Sequence, residues 1–120
     1  MTQDRRLLVL SGGHPYEAEP FSALLASFEG WTVTHLVHPE AEAEVAGGAA
    51  SEADAILFYD MPGYQFGGGA MASRPPALAY RRAITDYFGR GGGAIAMHHA
   101  IAGWAEWTEW ADMLGGRFLY

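Results

Sequence analysis

The 120-residue sequence predicts a single α/β domain over residues 1–120, a mainly parallel sheet in three layers with helices on both faces. Three observations predict it. Short, continuously apolar runs (Leu7–Leu10, Ala55–Tyr59 and Ala94–Met97) each stop at glycine or polar residues, the pattern of parallel strands covered on both faces. Between them lie segments whose apolar residues recur at helical spacing. The 16 glycines fall largely at the junctions, where tight turns are needed.

Taken in order, Leu7-Leu8-Val9-Leu10 reads as a central strand that closes on the turn Ser11-Gly12-Gly13-His14-Pro15. Pro20 then opens a helix with Phe21, Leu24, Leu25 and Phe28 as its buried stripe, ended by Gly30. Trp31–Val37 is rich in β-branched and aromatic residues and partly alternates, so it predicts a strand nearer the sheet edge, stopped by Pro39. Residues 40–50 suit a short solvated helix with a glycine stop, its acidic run forming a polar face.

Ala55–Tyr59 is the third strand, ending at Asp60-Met61-Pro62-Gly63. The Gly- and Pro-rich stretch from Met61 to Pro76, about 15 residues, is long enough for a lid or binding loop. Tyr80, Ala83, Ile84, Tyr87 and Phe88 mark a helix, and Gly91–Gly93 releases the fourth strand, a buried run that stops at His98 and His99. Thr108 is the expected N-cap of a last helix running through Leu114, with Gly115-Gly116 as its stop.

A net charge of −7, no lysine and seven scattered arginines leave no electrostatic footprint for nucleic acid. No run approaches the roughly 18 apolar residues of a membrane span, and Leu7–Leu10 is too short for a signal-peptide core, so a cytoplasmic location without membrane contact is expected. Zero cysteines exclude disulfides, a thiolate nucleophile and Cys-based zinc sites. The expected partners are small and neutral.

In a parallel α/β sheet, ligands bind beyond the carboxyl ends of the strands. Ser11–His14, Tyr59-Asp60 and His98-His99 all follow strand ends, so the site is expected on that edge. Several chemistries stay open there. His14, Asp60 and His98 form a donor set for zinc or another divalent ion, against which stands a purely structural role for the histidines. His98 and His99 are adjacent, and their side chains diverge if both lie on a strand, so a shared metal needs a sharp bend.

His98 alone suits general acid–base work, oriented by Asp60 or Glu17. Ser11-Gly12-Gly13 reads either as a phosphate cradle or as a plain tight turn, without the Gly-x-Gly-x-x-Gly pattern of a dinucleotide site. His35 and His38 read as structural or surface residues, with His38 an outside candidate. Trp104, Trp107 and Trp110, with Tyr64 and Phe66, offer flat faces for a sugar or simply fill a core.

Three blocks carry a resemblance: Ser11–Pro15, Phe58–Gly63, and Gly91–Ala100 continuing through Ala102-Gly103-Trp104 to Gly115-Gly116-Arg117-Phe118. Together they resemble the ThuA-like (trehalose utilisation) family. The last block is the most specific, with its glycine triplet, a strand ending in His, a Trp-containing turn and a Gly-Gly-Arg-Phe exit. The family domain is about twice this length, so the chain looks like its N-terminal half, with an exposed sheet edge and a possible need for a partner copy as a homo-oligomer. The resemblance implies a flavodoxin-like, class I glutamine amidotransferase-like fold, incomplete here, with His98 at the elbow where those enzymes carry a nucleophilic Cys.

Without cysteine, amidotransferase chemistry through a thiolate is ruled out. The activity implied instead is on trehalose-like disaccharides or their keto derivatives, enzymatic in the complete family member. The implied catalytic residues are His98 and Asp60. The implied substrate-binding residues are Gly12, Gly13, His14, Tyr59, His99 and Trp104. A non-catalytic sugar-binding or regulatory module, with or without a divalent metal such as zinc, is the alternative.

Overall fold

The computed structural model describes residues 4–67 and 70–118, with residues 66, 67 and 70 described by their backbone alone. Four parallel strands form the main sheet: β1 (Arg5–Gly12), β2 (Trp31–Val37), β3 (Ala55–Asp60) and, after a two-stranded hairpin, β6 (Gly93–Ala96). The spatial order is β2-β1-β3-β6. The chain is therefore α/β with a parallel sheet, and β2 is an edge strand as its alternating sequence suggests.

Alternation along the central strands sends successive side chains to opposite layers. Leu8 and Leu10 of β1 and Ile56 and Phe58 of β3 face a large core. Helix α2 (Glu40–Glu44) and the wide turn Val45–Ala49 that continues it supply Ala41 and Val45 to that core, while α3 (Leu78–Gly89) supplies Tyr80, Ile84 and Tyr87. Trp107 and, from α4 (Thr108–Leu114), Trp110 complete this layer. Val9 and Leu57 face the other way, onto Phe21 and Leu25 of α1 (Ala18–Ala26). Of the expected α1 stripe, Leu24 is 44% exposed, so the buried face is narrower than the spacing suggests.

That asymmetry between the faces corrects the reading of the fourth strand. Among the described residues β6 pairs with β3 alone, and all four of its residues are exposed, Ile95 by 66%. Ile95 is in register with Leu57 and so points to the face that α1 covers, but α1 is nine residues long and packs over Val9 and Leu57. A run of small and apolar residues reports that a strand is made for burial; whether it is buried depends on what lies beside it. β6 is nonetheless firmly seated, because Tyr87 packs where a Cβ on Gly92 would come within 2.4 Å of its ring and donates its hydroxyl hydrogen to the Gly93 carbonyl at 2.5 Å.

The stretch read as a lid or binding loop contains the antiparallel hairpin of β4 (Tyr64–Gly67) and β5 (Ala70–Ser73), with Tyr64 opposite Ser73 and Gln65 opposite Ala72. The acidic run 40–44 is more than a solvated face. Glu42 accepts two hydrogen bonds from Arg74, at 2.7 and 3.1 Å, and one from the Ala77 backbone N–H at 2.8 Å, which ties α2 to the start of α3. Thr108 is the first residue of α4 rather than its cap, its hydroxyl turned to Glu109, while Gly115 closes the helix in the left-handed conformation as expected.

Burial ranks two substitutions. Ile84→Ala, at a fully buried site, is expected to lower unfolding free energy by about 2–5 kcal/mol. Leu24→Ala, on an exposed site, should change it by no more than about 0.5 kcal/mol. Urea denaturation followed by circular dichroism measures both, and equal losses would contradict the assignment of α1's buried face.

Candidate functional site

Four strand exits meet at one edge of the sheet, because parallel strands all point the same way. β1 leaves through Gly12 and Gly13, and the turn is packed too tightly for side chains. A Cβ on Gly13 would lie 2.2 Å from the Met61 carbonyl oxygen, at a φ of +84°, and one on Gly12 would lie 3.0 Å from the His38 backbone nitrogen. The Met61 N–H donates to the Gly12 carbonyl at 2.9 Å, and the His38 N–H donates to the Ser11 carbonyl at 2.8 Å. The two glycines therefore weld three strand exits together, which is the tight-turn reading of the motif.

At the middle of the edge, His38 and Asp60 form a buried pair. His38 Nε2 stands 2.9 Å from Asp60 Oδ2, with the two side chains only 5% and 2% exposed. Burial raises the Asp60 carboxyl above the usual aspartate value, and the hydrogen bond and charge of His38 work in the opposite direction. Asp60 Oδ1 is buried without a hydrogen-bond partner among the described residues. Tyr80 lies beneath, its hydroxyl held well above the usual tyrosine value by burial and then by the charge of Asp60. Trp104 packs beside it, 5.2 Å from Tyr80 and 5.8 Å from His38 between ring centres.

Above this pair opens a cleft of about 370 Å³ whose lining includes Gly13, His38, Gly63, Tyr64, Gln65 and Arg74. The hairpin thus forms one wall. Arg74 is neutralised by Glu42, whose carboxyl that hydrogen bond holds below the usual glutamate range. The result is a pocket of hydrogen-bonding groups with no unpaired charge supplied by Arg74.

A second cluster sits farther along the edge. The chain bends after β6 into a 3-10 turn, His98–Ala102, which brings the His98 and His99 rings to 4.2 Å instead of letting them diverge as on a strand. His99 stacks on His14 with ring centres 3.8 Å apart, and Tyr59 lies edge-on to His14 at 4.8 Å. Burial first, then the charges of His14 and His98, lowers the His99 value. Both His14 ring nitrogens face backbone carbonyls, of Pro15 at 3.0 Å and Tyr59 at 3.1 Å, so neither is turned toward a ligand.

The expected residues therefore separate into two groups. His14, Tyr59, His98 and His99 share the outer cluster; Gly12 and Gly13 bridge to the inner one, where Asp60 serves His38. The set His14, Asp60 and His98 is not assembled, and among the described residues no three His, Asp or Glu side chains are grouped to hold a metal. Neither Asp60 nor Glu17 hydrogen-bonds His98. Trp104 is 2% exposed and lies under the Arg74 guanidinium at 5.5 Å, so its ring serves the core, as do Trp107 and Trp110. Tyr64 borders the cleft, while the Phe66 side chain lies outside the described residues.

His38 is the residue that sequence reasoning kept only as an outside candidate. Its signal was available: it follows β2 directly, and the rule that placed the other strand exits on one edge places this one there too. A further polar contact joins β1 to β2, with Ser11 Oγ 2.6 Å from His35 Nε2 and 3.0 Å from the Tyr16 hydroxyl. Compared with protein-family models, characterised proteins and solved structures, the chain matches none.

Two outcomes follow. Gly13→Ala should destabilise the fold by more than about 2 kcal/mol, combining left-handed strain with overlap on the Met61 carbonyl, as read from urea midpoints. Burial lowers the His35 value below 6.5, so its share of stability is complete above pH 6.5 and is lost as pH falls through the lowered value. Unfolding free energy measured from pH 7.5 to pH 5 should therefore fall more steeply for the native chain than for His35→Phe; parallel slopes would contradict the burial of that ring.

Proposed function

We propose that this chain is a carbohydrate-handling domain of the trehalose-utilisation kind that takes a small neutral disaccharide, or its keto derivative, at the C-terminal edge of the sheet. The observation that carries the reading is the cleft over His38 and Asp60. Its volume of about 370 Å³ falls within the size range of small-molecule sites, and its lining offers donors and acceptors from Gln65, Tyr64, His38 and the Gly13 backbone. With Arg74 paired to Glu42 and a chain charge of −7, the cleft suits a polyhydroxylated neutral ligand better than a phosphate or carboxylate.

The blocks that carry the family resemblance also support it, because they pack on one another although far apart in the chain. The Trp104 N–H donates to the Pro62 carbonyl at 2.9 Å, and the Met61 N–H donates to Gly12. Residues from Ser11–Pro15, Phe58–Gly63 and Ala102–Trp104 thus build one edge. The strand order β2-β1-β3-β6 is compatible with the flavodoxin-like three-layer arrangement that the resemblance implies.

Titration with trehalose, followed by calorimetry and amide NMR, tests the proposal. Saturable binding is expected, with shifts at Gly13, His38, Gln65 and Arg74. Gln65→Ala is expected to weaken it about tenfold, or ~1.4 kcal/mol. Absence of saturable binding by trehalose and by its keto derivative would overturn the assignment, and binding without turnover would favour the non-catalytic module.

A further inference from the structure

The cleft has one ring within it that is equipped to move a proton. His38 gives Nε2 to Asp60, and Nδ1 has no hydrogen-bond partner among the described residues. Nδ1 is also absent from the buried unpartnered polar atoms among the described residues, so it keeps some solvent access, on a residue that lines the cleft. A carboxylate behind one nitrogen and a free second nitrogen in front is the arrangement that sets an imidazole's tautomer and aims its lone pair.

His98 lacks that arrangement. It is exposed, its neighbours are the rings of Tyr59 and His99, and none of the described carboxylates hydrogen-bonds it. His99 has only ring partners among its neighbours, and both nitrogens of His14 are turned to backbone carbonyls. Of the five histidines, His35 is occupied by Ser11. The cleft at the opposite end of the sheet, about 410 Å³ and lined by Arg6, Thr32, Thr34 and Glu52 among others, holds no histidine.

We infer that His38 is the proton-accepting residue of the cleft and Asp60 its positioning residue, in place of the His98 and Asp60 combination that the sequence suggests. The inference rests on the reading of the cleft as the sugar site. In the step itself, the Nδ1 lone pair takes a proton from a ligand hydroxyl, or from the carbon beside a keto group; the bonding pair stays on the ligand. The ring becomes an imidazolium whose Nε2–H remains on Asp60 Oδ2, and the reverse transfer restores both partners. No other reactant is needed. The charged groups that bear on His38 are Asp60 from β3 and Glu42 from α2, the latter already neutralised by Arg74. The rings packed against it are those of Tyr80 and Trp104.

Long-range proton–nitrogen NMR of the imidazoles reads this directly in the intact chain, with trehalose and its keto derivative as probes. The expected result is a His38 ring protonated at Nε2 and bare at Nδ1, with the Nδ1 resonance shifting as sugar saturates the cleft. Asp60→Asn, checked for folding by circular dichroism, should lose the single-tautomer signature, because an amide both donates and accepts; His98→Ala should leave the His38 response unchanged. A His38 ring protonated at Nδ1 in the native chain would overturn the inference whatever the variants do. Sugar-dependent shifts confined to His14, His98 and His99 would also overturn it while leaving the sugar reading in place. If sugar binds saturably and no histidine responds, the inference alone falls; if neither sugar binds, the reading and the inference fall together.

Discussion

Removing the Asp60 carboxylate from water is the constraint around which the rest of this edge is arranged. A buried carboxylate costs several kcal/mol unless something answers its charge. Here one oxygen is met by His38 and the other has no hydrogen-bond partner among the described residues. His38 in turn has to arrive at one point over β3, and it does so because β2 runs parallel to β1 and its exit is held by the His38 N–H on the Ser11 carbonyl. The turn of β1 must then pass between two neighbouring exits with no room for a Cβ, which is why glycines stand there. One electrostatic requirement thus organises three connections that are remote in sequence.

The same edge divides into two environments with different chemistry. The inner one is dry, carries the only carboxylate–imidazole contact among the described residues, and opens to the hairpin wall. The outer one is a stack of imidazole and phenol rings held by face and edge contacts, in which burial and then the charges of His14 and His98 lower the His99 value. Rings packed in this way suit apolar contact and orientation; a dry carboxylate suits the holding of charge. Sequence proximity of His98 and His99 drew attention to the outer group, yet it is the inner one that pairs an imidazole with a carboxylate.

What was legible in the sequence follows from how local each signal is. β1 and β3 were readable because a central strand's burial is written in its own residues, Leu7–Leu10 and Ala55–Tyr59. α3 was readable from the spacing of Tyr80, Ile84 and Tyr87, which all turn inward. β6 was misjudged because exposure is a property of its neighbours: Ala94 and Ile95 suit burial, but no strand or helix among the described residues covers them. The hairpin was hidden by the glycines between its strands. His38 stood only as an outside candidate because its meaning lies in a partner 22 residues away, and the closeness of the His98 and His99 rings was not legible because it comes from the bend at Met97, which replaces a strand geometry with a 3-10 one.

The distribution of tryptophan has an optical consequence. Three of the four tryptophans, Trp104, Trp107 and Trp110, are buried together against the helical layer, while Trp31 sits at the start of the edge strand β2 under Arg5. Indole emission from this protein therefore reports mainly on the docking of its last segment, whereas amide absorption reports on the whole sheet and its helices. The two signals view separate parts of one molecule. Their coincidence during unfolding marks a single cooperative unit, and their separation would mark the C-terminal segment peeling from a sheet that is still intact.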